Sequence, residues 1–301
     1  MRVVAALGGN ALLERGEPPD SDIQQGHVAS AVAALAPLAR DHELIITHGN
    51  GPQVGLLAME SARDPALSRP YPFDVLGAQT QGMIGYWLVQ ALQNVLPGRL
   101  AGCLVCRTLV SADDPAFADP VKFVGPVYDE PRARQLTADY GWQVRQDGTS
   151  WRRVVPSPEP VQLLDLPLIK ELLAAGAIVV CAGGGGVPVM QDAAGVLHGV
   201  EAVVDKDLTA ALLACSVQAE ALLLLTDVES VQENFGTAQA RPIRLATPGD
   251  MRARPFPAGS MGPKVDAACR FAEATGQMAA IGRLDDAEAL LGRTAGTIIV
   301  R

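Results

Sequence analysis

Lysine, aromatic residues and long apolar runs are all scarce in this sequence. Only four of the 24 basic residues are lysine, and aromatic residues make up 4% of the chain. No apolar run approaches the roughly 20 residues that a membrane-spanning helix requires, and the run at 3–7 is too short for the core of a signal peptide. These absences predict a cytoplasmic protein without a membrane segment.

Cysteine and histidine are too few and too scattered to form a recognisable disulfide or metal pattern. The odd set of five cysteines predicts reduced thiols, and we interpret Cys103 and Cys106, in an apolar stretch, as core residues rather than a redox pair. The four histidines lack ligand spacing, so we predict no metal held by protein side chains. For His48, beside a glycine loop, a structural role is favoured over general-base catalysis.

Several signatures of common enzyme classes are also missing. The sequence contains neither a GxxxxGK[ST] loop nor a GxSxG elbow, which excludes P-loop enzymes and disfavours serine hydrolases. The spacing of Gly49, Gly51 and Gly55 is one residue too long for the GxGxxG fingerprint, which disfavours an NAD-dependent oxidoreductase. The formal net charge of −9 disfavours nucleic acids and anionic membranes as partners.

What the sequence does contain is an alternation of short apolar runs and longer amphipathic stretches. This alternation predicts an α/β fold with a mostly parallel sheet covered on both faces. Residues 111–160 are rich in Pro, Asp and Arg and interrupt the rhythm, which predicts an inserted lobe. The predicted strands are 2–7, 44–47, 102–109, 177–181, 221–225 and 297–300, and the predicted helices are 21–39, 74–96, 161–175, 207–215 and 263–275.

Glycine-rich turns follow three of the predicted strands. They are Gly8-Gly9-Asn10, Gly49-Asn50-Gly51 and the run at 183–186. Ligands of open α/β sheets bind at the carboxyl ends of strands, and glycine lets backbone N–H groups approach a phosphate closely. One such turn has an equally good steric explanation, but three on one predicted edge indicate an anion site.

Three of the four lysines lie in loop-like motifs and are candidate phosphate partners. Lys206 is flanked by Asp205 and Asp207, and Lys122 lies in the inserted lobe. Lys264 falls at a predicted helix start, where the helix dipole disfavours a cation unless an anion is near. From position alone, an ordinary surface ion pair or an exposed loop lysine remains an alternative for Lys122 and Lys206. Lys170 lies in an amphipathic stretch and is treated as an ordinary surface lysine.

The sequence resembles the carbamate kinases, a family within the amino acid kinase superfamily. The resemblance rests on the segments ALGGNAL, THGNGPQVG, QGMIGYW, WRRVVPSP and GVEAVVDKD, together with 182–189 and 259–265. It extends over essentially the whole chain, in order. Two departures are Phe123, where the family often has proline, and the sequence CRTLVS at 106–111.

The resemblance implies a single domain, 1–301, built as a three-layer αβα sandwich, with residues 111–160 protruding over the substrate site. It implies a homodimer that transfers a phosphoryl group directly and reversibly between carbamoyl phosphate and ADP, with Mg²⁺ brought in on the nucleotide. The implied catalytic residues are Lys122, Lys206, Asp207 and Lys264. The implied substrate-binding residues are Gly8, Gly9, Asn10, Gly49, Asn50, Gly51 and Arg153, and the implied nucleotide-binding residues are Gly183, Gly184, Asp227, Met261 and Gly262.

Two other classes of function stay open beside this one. A different small-molecule kinase of the same fold would act on another carboxylate or phosphate acceptor. A regulatory protein would bind a nucleotide without turnover, although the presence of all three candidate lysines and Asp207 disfavours it.

Overall fold

A sheet of eight strands organises the protein. The structure, a computed structural model, describes residues 1–14, 16–257 and 261–301, and describes only the backbone of Asn10 and Pro126. The proposed role of the Asn10 side chain and residues 259–260 of the matched segment 259–265 therefore lie outside the described residues.

The bounds of the elements are as follows. The strands are β1 (Arg2–Leu7), β2 (Glu43–His48), β3 (Ala101–Cys103), β4 (Arg107–Leu109), β5 (Lys122–Tyr128), β6 (Val144–Asp147), β7 (Ser150–Val155), β8 (Gln162–Leu163), β9 (Ile178–Val180), β10 (Val187–Gln191), β11 (Leu197–Gly199), β12 (Ala221–Thr226), β13 (Gln232–Glu233), β14 (Arg241–Pro242), β15 (Leu245–Ala246), β16 (Met278–Arg283) and β17 (Thr297–Ile299). The helices are α1 (Ser21–Asp41), α2 (Gly51–Arg63), α3 (Phe73–Val95), α4 (Glu130–Tyr140), α5 (Leu166–Ala174), α6 (Lys206–Ser216), α7 (Pro248–Arg252), α8 (Met261–Thr275) and α9 (Ala287–Leu291).

The eight strands lie in the order β15-β17-β16-β12-β1-β2-β9-β3. Within the described ranges every neighbouring pair is parallel except β16 with β17. The central strands are buried on both faces, which explains why β12 is an almost continuous apolar run rather than an alternating one.

Helices cover both faces of this sheet. Successive side chains of a strand point to opposite faces, so Val3, Ala5 and Leu7 of β1 pack with α1, α3 and α9, whereas Val4 and Ala6 pack with α5, α6 and α8. The predicted three-layer αβα sandwich with a mostly parallel sheet is thus confirmed. None of the described helices combines the length and apolarity that crossing a lipid bilayer demands.

Two predicted elements were wrong in their extent. The strand predicted at 102–109 is divided between β3 in the central sheet and β4 in a second sheet, ordered β11-β10-β4-β8. At the break the side chain of Gln81 bonds the backbone of Cys106: its amide nitrogen donates to Cys106 O at 3.1 Å and its oxygen accepts from Cys106 N at 2.9 Å. The helix predicted at 161–175 begins only at Leu166, because residues 162–163 pair with β4 instead.

Cys103 and Cys106 consequently belong to different segments and to opposite faces of the central sheet. Cys103 packs with the α1–α3 layer and Cys106 with the α5–α6 layer. All five cysteines are free, as predicted.

Residues 122–155 form a separate three-stranded antiparallel sheet, β5-β7-β6, with α4 beside it. Asp129 caps α4 by accepting from Arg132 N, and Gly141 ends it in the left-handed conformation at φ 72°. Gly55 of α2 lies against Gly125 of β5, since a Cβ atom on Gly55 would be 3.6 Å from Gly125 Cα. This contact brings the start of β5, and with it Lys122, next to the main sheet.

Candidate active site

The first two glycine turns meet at the carboxyl edge of the central sheet. Leu7, the last residue of β1, pairs with His48 of β2 on one side and with Leu225 of β12 on the other. Gly49 N donates to Leu7 O at 2.9 Å, and a Cβ atom at Gly49 would be only 2.9 Å from Gly9 N. Glycine is required at Gly49 because two backbones approach each other there.

The third glycine turn, after β9, packs directly on the second. A Cβ atom at Gly183 would lie 2.2 Å from His48 Nε2, and one at Gly184 would lie 2.3 Å from Asn50 Nδ2. Gly184 also has a positive φ of 64°. Asn50 in turn donates from Nδ2 to Thr80 Oγ1 of α3 at 2.9 Å. The turns that were separate motifs in the sequence therefore form one contact network.

We predict that Gly184→Ala will displace the Asn50 side chain and reduce activity. The new Cβ atom would overlap Asn50 and would force a left-handed backbone on alanine, at a cost of about 1–2 kcal/mol for the backbone alone. Steady-state kinetics and denaturant unfolding measure the two effects. Gly26→Ala is the matched control, because Gly26 is exposed in α1 with open space around its Cβ position and should be neutral or stabilising by up to about 1 kcal/mol. A Gly184→Ala variant as active and as stable as the parent would contradict the packing described.

All four residues predicted to be catalytic lie around one cavity of about 330 Å³. Glycine-turn residues line the same cavity, namely Gly9, Gly49, Asn50, Gly51 and Gly184. Of the residues predicted to bind nucleotide, only Gly184 is part of this lining. One wall therefore carries positive charge and the other is rich in glycine backbone.

Asp207 joins two of the three lysines. Its Oδ1 accepts from Lys206 Nζ at 2.5 Å and its Oδ2 from Lys264 Nζ at 3.1 Å. The Asp207 side chain is 5% exposed, and those of Lys206 and Lys264 are 13% and 15% exposed. The carboxylate thus holds two nearly buried ammonium groups on one side of the cavity.

Burial and charge shift the pKa values of this cluster in physically opposed ways. Burial would raise the pKa of Asp207, but the ammonium groups of Lys206 and Lys264 outweigh it and hold that pKa below its usual value. Burial lowers the pKa of Lys206, and the neighbouring Lys264 adds to the effect, whereas Asp207 opposes it. Asp207 therefore favours the charged form of Lys206, against the effects of burial and of Lys264.

Lys122 approaches the cavity from the other side, at the start of β5. Its Nζ donates to Asp205 Oδ2 at 3.4 Å, and its side chain is 43% exposed. Asp205 is the N-cap of α6, and its Oδ1 accepts from Asp207 N at 2.9 Å and from Leu208 N at 3.4 Å.

His48 is buried beneath the glycine turns, where its imidazole packs against Gly183. Desolvation lowers its pKa to about 4, although its hydrogen bond to Gly49 O acts in the opposite direction. The distance from His48 Nδ1 to Gly49 O is 3.0 Å. An imidazole that stays neutral in this position fits a structural role better than a general base.

We predict that His48 will remain uncharged in the folded protein down to about pH 4. The unfolded chain takes up a proton at His48 below about pH 6.5 and the folded chain does not. Folding stability should therefore fall as the pH drops from about 6.5 towards 4. NMR of the imidazole resonances from pH 8 to pH 5 measures the ionisation directly. A His48 titration centred near pH 6.5 would refute this prediction.

Arg153 does not join the lysine cavity, although it was predicted to bind substrate. It lines a different cavity, of about 850 Å³, where Trp142 and Phe73 flank its guanidinium with ring centroids 4.0 and 4.9 Å away. Its Nη2 pairs with Glu201 Oε1 at 2.5 Å. The sequence motif that contains Arg153 gave no indication of this aromatic stacking.

The remaining predicted nucleotide residues lie along the same sheet edge but outside the lysine cavity. Asp227 is exposed just after β12, with Thr226 Oγ1 donating to its Oδ1 at 3.1 Å. Met261 and Gly262 form the first turn of α8, three and two residues before Lys264. Gly8 contacts the end of β12, and Gly183 packs on His48, so neither lines the cavity.

Two residues with evident roles in this arrangement were missing from the sequence prediction. Asp205 was noticed only as a charge beside Lys206, although an Asp immediately before a predicted helix is a recognisable capping signal. Thr80, fully buried in α3, holds Asn50. Nothing in the spacing of Thr80 along the chain indicated that contact.

Comparisons with known proteins identify the family to which this chain belongs. The model of the amino acid kinase family matches residues 1–282. A carbamate kinase of Rhizobium meliloti (strain 1021) is 50% identical over 303 residues, covering 99% of this chain and 93% of that protein. A carbamate kinase of Escherichia coli (strain K12) is 50% identical over 297 residues, covering 99% and 98%.

Solved structures agree with this grouping. The carbamate kinase from Giardia lamblia bound to AMP-PNP superposes with a TM-score of 0.93 at 38% identity, covering 99% of this chain and 98% of that one. The chain belongs to the amino acid kinase family and, within it, to the carbamate kinases.

Proposed function

We propose that this protein transfers a phosphoryl group between carbamoyl phosphate and ADP, forming ATP and carbamate reversibly. The observation that carries the proposal is the grouping of Lys122, Lys206 and Lys264 at one small cavity faced by glycine backbone. The relatives named as carbamate kinases support this choice of substrate.

The proposed reaction breaks one P–O bond and forms another. An oxygen of the ADP β-phosphate attacks phosphorus, and the bond from phosphorus to the carbamate oxygen breaks, so that carbamate leaves as an anion. Such a transfer needs in-line positioning and neutralisation of oxygen charge more than a covalent catalyst. The three ammonium groups would supply the neutralisation, and Asp207 would hold two of them in place.

Backbone N–H groups would hold the substrate on the opposite wall. The turns at Gly8-Gly9-Asn10 and Gly49-Asn50-Gly51 end β1 and β2, and the second turn begins α2, whose positive end favours an anion. A cavity of about 330 Å³ has room for carbamoyl phosphate. Arg153 lines a different cavity from the lysines, and its predicted contact with carbamoyl phosphate stays a prediction.

The nucleotide would approach from the side of β12 and α8. Asp227, Met261 and Gly262 are proposed to contact it, and Gly183 and Gly184 to form the turn beneath its terminal phosphate. The described ranges hold no group of three or more His, Cys, Asp or Glu side chains suited to a metal ion, and Asp205 and Asp207 are already engaged by lysines. We therefore propose that Mg²⁺ is carried on the nucleotide's own phosphate oxygens, where it would neutralise charge.

The test is ATP formation from ADP, Mg²⁺ and carbamoyl phosphate, followed by a panel of other acyl phosphates. We expect rapid ATP formation with carbamoyl phosphate and none with the other acyl phosphates of the panel. Activity only with a larger acyl phosphate would instead identify another kinase of this fold. A folded protein that binds ADP but transfers nothing would support a regulatory role. Trapping a phosphorylated residue in a single turnover would contradict direct transfer.

We also infer that the protein is a homodimer. Exposed apolar side chains surround β3, the edge strand of the central sheet, including Tyr86 at 60%, Leu100 at 57% and Val105 at 51% exposure. An open sheet edge with apolar neighbours favours self-association. Analytical ultracentrifugation measures this directly, and a monomer at micromolar concentration would contradict it.

A further inference from the structure

Asp205 links the two parts of the molecule that carry the lysines. Its Oδ1 caps α6, the helix that begins with Lys206 and Asp207, and its Oδ2 accepts from Lys122 of β5. One carboxylate group therefore contacts both the main sheet's lysine cluster and the three-stranded sheet β5-β7-β6.

The capping side of Asp205 is firmly held. Besides the two side-chain bonds, Asp205 O accepts from Thr209 N at 3.0 Å. The Thr209 hydroxyl shares its one hydrogen between Asp205 O and Gly185 O, each 3.1 Å from Oγ1. The Asp205 side chain is only 15% exposed. Its Oδ2 is therefore presented to Lys122 from a fixed position.

The Lys122 side of the contact is weak and exchangeable. Lys122 Nζ lies 3.4 Å from Asp205 Oδ2, and the lysine side chain is nearly half exposed, so solvent screens the ion pair. Among the described residues no other acidic side chain lies within ion-pair distance of Lys122. A phosphoryl group entering the cavity would offer Lys122 a more strongly charged partner than Asp205 does.

We propose that Asp205 is a positioning residue that holds the Lys122 ammonium at the cavity before substrate binds and then releases it to the phosphoryl group. This inference rests on the proposed phosphoryl transfer. In free solution a lysine side chain samples many rotamers, and its preorganisation reduces the entropy lost on reaching the transition state. Asp205 would thus act on the reaction through Lys122 and through the position of β5.

The substitution Asp205→Asn separates this role from helix capping. Asparagine is as good an N-cap as aspartate, so α6 should keep its start, whereas the charge facing Lys122 is lost. We expect kcat to fall about tenfold because Lys122 is no longer preorganised. The KM for carbamoyl phosphate should stay constant or decrease, because a negative charge beside an anion site has been removed.

A double-mutant cycle with Lys122→Met decides whether Asp205 works through Lys122. If it does, Asp205→Asn should have no further effect on kcat in the Lys122→Met background. Asp165→Asn is the matched control, since Asp165 also precedes a helix and pairs with a basic residue, Arg107, at 2.7 Å, outside the cavity. Its kcat should equal that of the parent. Multiplicative effects in the cycle, or a kcat for Asp205→Asn within twofold of the parent, would overturn the proposal.

Hydrogen exchange in the ligand-free protein provides a readout that does not depend on activity. The amides of β5 should exchange faster in Asp205→Asn and in Lys122→Met, by similar factors, but not in Asp165→Asn. Unchanged β5 exchange would overturn the holding role even if the parent were active. An inactive parent with the expected exchange pattern would instead indicate that the proposed reaction, rather than the contact, is wrong.

Discussion

Lys206→Met should reduce kcat by about a thousandfold, the size of effect found when one cation is removed from a transferring phosphoryl group. The Lys206 ammonium is 13% exposed and is held at 2.5 Å by Asp207, so it is already in position and its charge is little screened by water. Methionine keeps most of the side-chain volume and removes only the charge. The measurement is ATP formation under saturating substrates.

Lys170→Met provides the control for the general loss of a lysine. Lys170 is exposed on α5 and does not line the lysine cavity, so this variant should be as active as the parent. Both variants should unfold at similar denaturant concentrations, because Asp207 keeps Lys264 as its ion-pair partner when Lys206 is replaced. A Lys206→Met variant that retained a tenth or more of parental kcat would remove this lysine from the proposed mechanism.

Asp207→Asn should impair both folding and catalysis. Removing the carboxylate leaves the ammonium groups of Lys206 and Lys264 adjacent and without their shared anion, and breaking a buried ion pair on one side costs about 3 kcal/mol or more. The two lysines would also repel each other and lose their orientation towards the phosphoryl group. Urea unfolding and steady-state kinetics measure the two losses.

The pH dependence of the Asp207 effect has a definite sign. The pKa of Asp207 in the folded protein is held below its ordinary value of 3.8, so its stabilising contribution is complete above that value and is lost as the pH falls through the folded pKa. The stability difference between parent and Asp207→Asn should therefore shrink only at acid pH below about 3.8. Asp192→Asn, which removes an exposed carboxylate paired with His198, should have a much smaller effect on stability, because solvent screens that pair. An equal loss in both variants would contradict the special position of Asp207.

The predictions for Lys206→Met and Asp207→Asn concern two residues of one ion-pair cluster that are expected to have different roles. In the proposed mechanism Lys206 would supply charge to the reaction. Asp207 opposes the effect of burial on the pKa of Lys206 and also accepts a hydrogen bond from Lys264. A combined loss of stability and activity in Asp207→Asn, together with a loss of activity alone in Lys206→Met, would distinguish the organising residue from the reacting one.

Local sequence patterns were sufficient for the layers of the fold and for the strand ends at which the glycine turns occur. Buried parallel strands must be apolar on both faces, and close backbone approaches require glycine, so both features leave a mark in the sequence. The placement of Lys264 is a further example. The sequence predicted that this lysine lies at the start of a helix, and the structure has it in the first turn of α8, 3.1 Å from the Asp207 carboxylate.

Contacts between distant segments could not be predicted from local patterns in this way. At the break between β3 and β4, Cys106 N donates to the side chain of Gln81, a helical residue more than 20 positions earlier. Arg153 was grouped with the substrate residues because of its motif, yet it stacks on Trp142 and Phe73 in another cavity. Neither contact follows from spacing, because side-chain partners are chosen by the packing of the whole chain.

The α/β class, the glycine turns and the short set of candidate lysines could all be recognised from local patterns, since they depend on backbone sterics, burial and residue chemistry that act locally. Which of those residues meet depends on how the whole chain packs. Lys122, Lys206 and Lys264 are separated by more than 50 positions along the chain. Lys206 and Lys264 converge because α6 and α8, at whose starts they lie, pack in one layer on the central sheet, and the contact of Gly55 with Gly125 brings β5 and Lys122 to the same cavity.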